Sequence, residues 1–439
     1  MRKQVQLVLF TVATVALILS LMLAFTPSDR AYAGGGWQVV ATGLNNPFHL
    51  DIAEDGTIYV AEAGSPPAEQ SENCVPSPFD PSQSICYGET GSVRVIEPGD
   101  PPSQTNYLVT DLPNTHIYSS TGEYLGVASG PQGISLEEGG TGVYVVNGLG
   151  ADPAAREGFG EGGQNIGVLF HIMSDGSWMR VADIAGFEGT NNPDGGLVDS
   201  NPYAVLDTAT DTFVVDAGGN DLLRVSAGGV ITTHTVFPTQ TAEFPPNSGQ
   251  MMSVESVPTS IAEDMTGTLH VGELTGFPFP IGGARVYNVA VPGSPMVEES
   301  GFTMIGDIAY DSMGNLYVLE IFKNGETSGD PTGALIRVAP DGTRTTIVDS
   351  PCTMNPPNPN AGALCLPTGM TVGPDDMVYV VNYGLMGPLA NVVRIDPSEP
   401  TAVTVTALEA SPAERALRPM LALLAITATV GLMFVRRRR

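Results

Sequence analysis

Apolar and polar residues alternate along most of the chain, and six times the alternation takes one form. A proline-type opening leads into an alternating segment, a tight turn, a second alternating segment and one closing polar residue. The copies read NPFHLDIAEDGTIYVAE (46 to 62), GPQGISLEEGGTGVYVVN (130 to 147), NPYAVLDTATDTFVVD (201 to 216), VPTSIAEDMTGTLHVGE (257 to 273), MIGDIAYDSMGNLYVLE (304 to 320) and LPTGMTVGPDDMVYVVN (366 to 382). From the Pro, or Ile305 in its place, to the closing residue the step is 14 to 16 residues in every copy. Constant spacing in unlike surroundings marks one structural unit repeated.

Period-two alternation rich in Val, Ile and Tyr, broken by Asp-Gly, Gly-Asn and Thr-Gly pairs, predicts hairpins. A third strand follows each pair, as in SVRVI (92 to 96), VLFHI (168 to 172) and NVVRID (391 to 396), and a fourth follows in most, such as ITTHTVF (231 to 237) and RTTIVD (344 to 349). Six such units predict an all-β fold: a six-bladed β-propeller of four-stranded antiparallel blades across residues 34–400. Curling repeated sheets into a ring leaves only short, protected edges.

The two ends break the pattern. Arg2 and Lys3 precede an uncharged apolar run from Val5 to Phe25, and Ala31-Tyr32-Ala33 stands before Gly34. Residues 1–33 therefore read as a signal peptide, with an uncleaved anchor as the alternative. After a linker at 401–416, residues 417–435 read as a transmembrane helix, uncharged from Pro419 onward, and 436–439 as a cytoplasmic tail of four arginines. The run has no polar face to suit a buried amphipathic helix, and no LPxTG-like or Pro-Glu-Pro motif marks a sorting tail. The expected product is exported, on the cell surface or the periplasmic face of the membrane, held by a single C-terminal span.

Between these ends, residues 34–408 carry nine basic and 44 acidic side chains. That balance excludes ordinary nucleic-acid binding, which rests on basic patches, and suits solubility, salt tolerance or cation binding. The four cysteines fit an oxidising compartment. Cys74 and Cys86 share one Pro/Ser-rich insertion, Cys352 and Cys365 one Pro/Asn-rich connection, and no His stands near either pair in sequence. Local pairing, 74 with 86 and 352 with 365, closes short loops and is favoured over the other connectivities and over a metal site.

Several longer phrases, among them NNPFHLDIAEDGTIYVAEAG, CYGETGSV, GLGADP, NNPDGG with DSNPYAV, GELTGFPFPIGGARVY and SGDPTGALIRVAPDGTRTT, resemble the ScyD/ScyE family of exported bacterial proteins. The resemblance runs from about Trp37 to Ile395. It implies a six-bladed propeller of the NHL or strictosidine-synthase-like kind, and it carries no agreed chemistry or catalytic residues. The sequence departs from the family at Phe48-His49, where Arg-Gly is common, and in its added C-terminal helix.

Candidate chemistry gathers at three places. The closing residues Glu62, Asn147, Asp216, Glu273, Glu320 and Asn382 fall where the second strand meets its loop, so repetition sets them around one rim. Four carboxylates and two amides are oxygen donors of the kind Ca²⁺ takes, and gluconolactonase-like propellers use a comparable axial site. Equally, such residues can cap loop backbone in each blade. A second candidate is Asn192 and Asp194 with Asp199 and Asn201, which can wrap a cation or simply make Asx turns. The third is the loop carrying Phe277 and Phe279, either walls of a ligand pocket or a plug in the channel mouth, with His49 near the channel as a further wall or weak base.

No H-E-x-x-H or G-x-S-x-G motif is present, and His171, His234 and His270 read as satisfied strand residues. Two function classes follow. One is a membrane-anchored binding or scaffold module, expected as a monomer, taking a small molecule, glycan or protein on its loop face. The alternative is a cation-dependent lactonase or esterase working through channel carboxylates. Binding is favoured because no base stands out.

Overall fold

The computed structural model describes residues 36–399, apart from 68–70, 78–79, 104–105, 355–356 and 359. The signal peptide, linker, transmembrane helix and arginine tail expected from the sequence lie outside these residues. Among the described residues, no helix is long and apolar enough to cross a membrane.

Each of the six phrases becomes the two innermost strands of one antiparallel sheet. The pairs are Pro47–Ile52 with Ile58–Glu62, Pro131–Leu136 with Val143–Asn147, Pro202–Asp207 with Asp211–Asp216, Pro258–Glu263 with Leu269–Glu273, Ile305–Tyr310 with Leu316–Glu320, and Met370–Val372 with Val378–Asn382. Every inner strand packs against the inner strand of the next sheet, and the sixth packs against the first, so the sheets form a propeller-like ring. Each inner strand starts at what we term the loop end of the axis and runs to the turn end.

Why the second strands read as nearly continuous apolar runs is now plain. Val143 and Val145 face the gap between the first and second sheets, whereas Val146 faces the gap between the second and third. Both faces are buried, as in sheets covered on either side. All six gaps hold a buried apolar cluster of this kind. Burial of each such side chain is worth about 1.5–3 kcal/mol, so the ring is held chiefly by these layers.

Sheets two to five are built from four consecutive strands. The sixth takes its outer strand from the start of the described chain: Trp37–Thr42 pairs with Asn391–Ile395, Trp37 opposite Ile395 and Thr42 opposite Asn391. The repeated phrase carries no trace of this closure. The first sheet departs from the expected four strands. Its third strand, Ser84–Ile96, extends beyond the ring and pairs with Cys74–Pro76, Asn106–Tyr118 reaches as far, and Tyr124–Ser129 adds a further strand. The Cys-bearing insertion is therefore a sheet extension rather than an irregular loop. Both disulfides are those expected, Cys74 to Cys86 and Cys352 to Cys365.

Candidate functional site

All six closing residues are the last residue of a second strand and all are buried, none more than 6 % exposed. Their polar atoms turn toward the loop that enters the inner strand of the same sheet. Glu62 accepts from the backbone N–H of Asn45 at 2.9 Å, Glu320 from Thr303 N–H at 2.6 Å and Asn382 from Cys365 N–H at 2.7 Å, each donor two residues before the phrase opening. Asp216 accepts from Asn201 N–H and from the Ser200 hydroxyl, both at 2.6 Å, and Glu273 from the Ser256 hydroxyl, also at 2.6 Å. Only Asn147 reaches elsewhere, donating to the Pro113 carbonyl at 2.7 Å. In the other five phrases the end thus holds its own beginning, which accounts for the near-constant step between them.

Two of these carboxylates also meet arginine. Glu62 accepts from Arg94, whose guanidinium is 1 % exposed, and Glu273 accepts from Arg285 and from the Tyr287 hydroxyl. Burial raises the pKa of Glu62, Asp216 and Glu273 against these bonds, and raises Glu320 to about 7. Among the described residues, no group of three or more His, Cys, Asp or Glu side chains is arranged to hold a metal ion.

The residue after four of the closing positions has the other orientation. Ala63, Ala217, Leu274 and Ile321 join Phe48, Tyr203, Phe279 and Phe322 in an apolar cluster at the loop end of the axis. Val257, Met304 and Leu366, each just before a phrase opening, enter the same cluster from left-handed backbone (φ 50°, 51° and 46°). That conformation is costly for a non-glycine residue, above all for a β-branched one. Here it aims an apolar side chain at the axis. Phe279 is buried in the cluster, and Phe277 packs on it half-buried with its ring edge-on to Phe244.

Below this cluster the six inner strands enclose a cavity of about 210 Å³, lined at its polar positions by His49, Asp51, Ser135, Glu263, Asp307 and Thr371. His49 Nδ1 lies 3.0 Å from the Gln132 carbonyl, which fixes the proton there if the ring is neutral, and Nε2 stands 3.8 Å from Asp307 Oδ2. The Tyr203 ring closes over the imidazole edge-on. Burial lowers the His49 pKa to about 4 and holds Asp307 well above the usual carboxylate range. Asp307 accepts from Ile308 N–H and Met370 N–H, and Asp51 from Ile52 N–H and Leu136 N–H, so each acid stitches one inner strand to the next. A base with a pKa near 4 is poorly matched to neutral pH, and ligand pockets usually measure about 300–1,000 Å³. Sequence reasoning noted His49 and missed Asp307, because the third position from the Pro or Ile305 follows no pattern: His, Gly, Ala, Ser, Asp and Gly in turn.

The second loop candidates lie together at the loop end of the third sheet. Asn192 ends the helix Ile184–Asn191 in left-handed backbone, Asp194 accepts from Asn220 Nδ2 at 3.1 Å, Asn201 is held by Asp216, and Asp199 is buried.

A larger recess, about 720 Å³, lies elsewhere: between the sixth and first sheets, beside the closing strand. Val39, Ile58, Ile96 and Pro102 form its apolar floor, and Glu54, Asp55, Glu97, Asp100 and Asp375 stand around it. Asp375 is paired with Arg394 at 2.8 Å, which leaves the other four carboxylates to set the local charge.

No protein-family model matches the chain, and no curated protein matches it. Among solved structures, a protein of unknown function from Bacteroides thetaiotaomicron is similar at 10% identity and a TM-score of 0.47, over 82% of this chain and 75% of that one. A streptogramin B lyase is similar at 12% identity and 0.39, over 83% and 99%. A nidogen/laminin complex gives 9% and 0.38, over 69% and 86%.

Proposed function

We propose that this chain is a binding module, an exported six-bladed propeller of the kind that the ScyD/ScyE resemblance implies, anchored by the C-terminal span expected at residues 417–435, and that its ligand carries positive charge. The observation behind this reading is the seam recess, which combines ligand-sized volume, an apolar floor and four carboxylates without a basic partner among its lining residues. Such a recess suits a Lys- or Arg-bearing peptide, whose aliphatic stems cover the floor while the charged heads reach the rim. The sequence pointed to the loop face instead. There the closing residues are engaged in holding backbone and the axis is filled by apolar side chains.

The test is fluorescence anisotropy of labelled Lys-rich and Lys-free peptides against the full-length chain, in low and high salt. Binding should need lysine and weaken as salt screens the rim. Exchanging Glu97→Gln together with Asp100→Asn should weaken it roughly three- to tenfold, the usual worth of two exposed charges. Equal affinity for both peptides, or for the double variant, would sink the reading.

A cation-dependent hydrolase is the second reading, supported by His49 beside Asp307 in the axial cavity. It predicts lactone or ester hydrolysis that His49→Gln abolishes.

A further inference from the structure

The loop end of the third sheet carries a concentration of acid that the binding reading does not use. Glu188 on the helix Ile184–Asn191, Asp194 and Asp199 on the following loop, and Asp216 and Asp221 flanking Gly218-Gly219 all act on one another there. Glu188 is 2 % exposed and Asp221 1 %. Asp216 and Asp194 are engaged by backbone and amide donors, but Glu188 Oε1 and Asp221 Oδ1 have no hydrogen-bond partner. A buried, ionised carboxylate without a partner is among the costliest groups a fold can hold.

A second observation concerns Gly219. Its backbone is not left-handed, so nothing in its φ calls for glycine. A Cβ there would lie 3.3 Å from Glu188 Oε2 and 3.5 Å from Asp216 Oδ2. The missing side chain therefore leaves a clearing bounded by two carboxylate oxygens, one of them on an otherwise unpartnered group.

We propose that this cluster is a binding site for a divalent cation of the hard, oxygen-ligated class, Ca²⁺ above all, with Glu188 and Asp221 as its carboxylate ligands at the Gly219 clearing. Calcium takes six to eight oxygens in flexible geometry, which suits acids drawn from a helix, a loop and a strand. The side chains do not already converge as a finished metal cage, so binding draws Glu188 and Asp221 together, with Asp199 and water completing the shell.

The experiment is equilibrium dialysis of the full-length chain against Ca²⁺ alone, after chelation, with thermal melting in parallel. One tightly held Ca²⁺ per chain is expected, with a melting temperature that climbs as Ca²⁺ is added. Glu188→Gln and Asp221→Asn should each weaken that ion at least tenfold, and both should fold without Ca²⁺ because they remove a repelled charge. Gly219→Ala keeps every charge and should also displace the ion. The seam variant Glu97→Gln with Asp100→Asn should bind it unchanged, which separates this site from the recess and from diffuse attraction to an acidic protein. The proposal is overturned if no Ca²⁺ is retained, if Glu188→Gln binds as well as the parent, or if the seam variant loses the ion equally.

Discussion

Glu326 shows how much depends on a single buried oxygen. It sits in the short 3₁₀ turn Glu326–Ser328, 4 % exposed, with Oε1 unpartnered, and burial raises its pKa to about 7. Because the folded value lies above the ordinary value near 4.5, ionisation costs stability. The loss begins as pH rises past the unfolded pKa and is complete once pH passes about 7. Glu326→Gln should therefore raise stability at pH 8.5, by on the order of 2–3 kcal/mol, and leave it unchanged at pH 4. Thermal melts at the two pH values decide the matter, and an equal shift at both would refute it. Glu62 is equally buried yet differently placed, since Arg94 and the Ser92 hydroxyl meet its charge.

Among the elements, the two disulfides should differ in what they hold. Each closes a short loop, with sequence separations of 12 and 13, for which chain-entropy arguments give about 3 kcal/mol. Cys365 is fully buried, its N–H is bound by Asn382, and Leu366 beside it enters the axial cluster. Replacing Cys352 and Cys365 by Ala should lower the melting temperature of the whole ring. Replacing Cys74 and Cys86 should leave that temperature within a degree or two and speed amide exchange only at Cys74–Pro76 and its partner strand.

The strands themselves were legible because alternation, turn pairs and constant spacing act within some fifteen residues. What was not legible involved partners remote in sequence. Trp37–Thr42 closes a sheet whose other strands begin at Met370. His49 meets Asp307 only because the ring is complete, and Glu188 reaches the backbone at Gly219 only because a helix folds back over a strand end. The closing polar residues were found at once, but spacing alone could not say whether their oxygens faced the axis or the loop. Left-handed backbone just before four of the openings, at Asn46, Val257, Met304 and Leu366, helps to set that, and it leaves no mark in composition.

At the scale of the whole molecule, the ring depends on its closing strand. Both tryptophans lie on outer strands, but Trp37 is 3 % exposed and packs among Tyr317, Leu335, Ile347 and Val393 in the gap between the fifth and sixth sheets, whereas Trp178 is only half-buried. Trp37→Ala should cost about 3–5 kcal/mol, the usual cost of emptying a buried aromatic site, and Trp178→Ala clearly less. Urea denaturation of the two variants measures the difference, and equal midpoints would show that closure contributes little.

The closing strand also sets a timetable. The recess beside it is walled by residues 38–40 and 54–58 from the beginning of the ring and by 374–394 from its end. No shorter piece of the chain can present it, and during synthesis the first wall must wait for the last. A ligand that settles there meets only finished molecules, so occupancy of the seam would report that folding is complete.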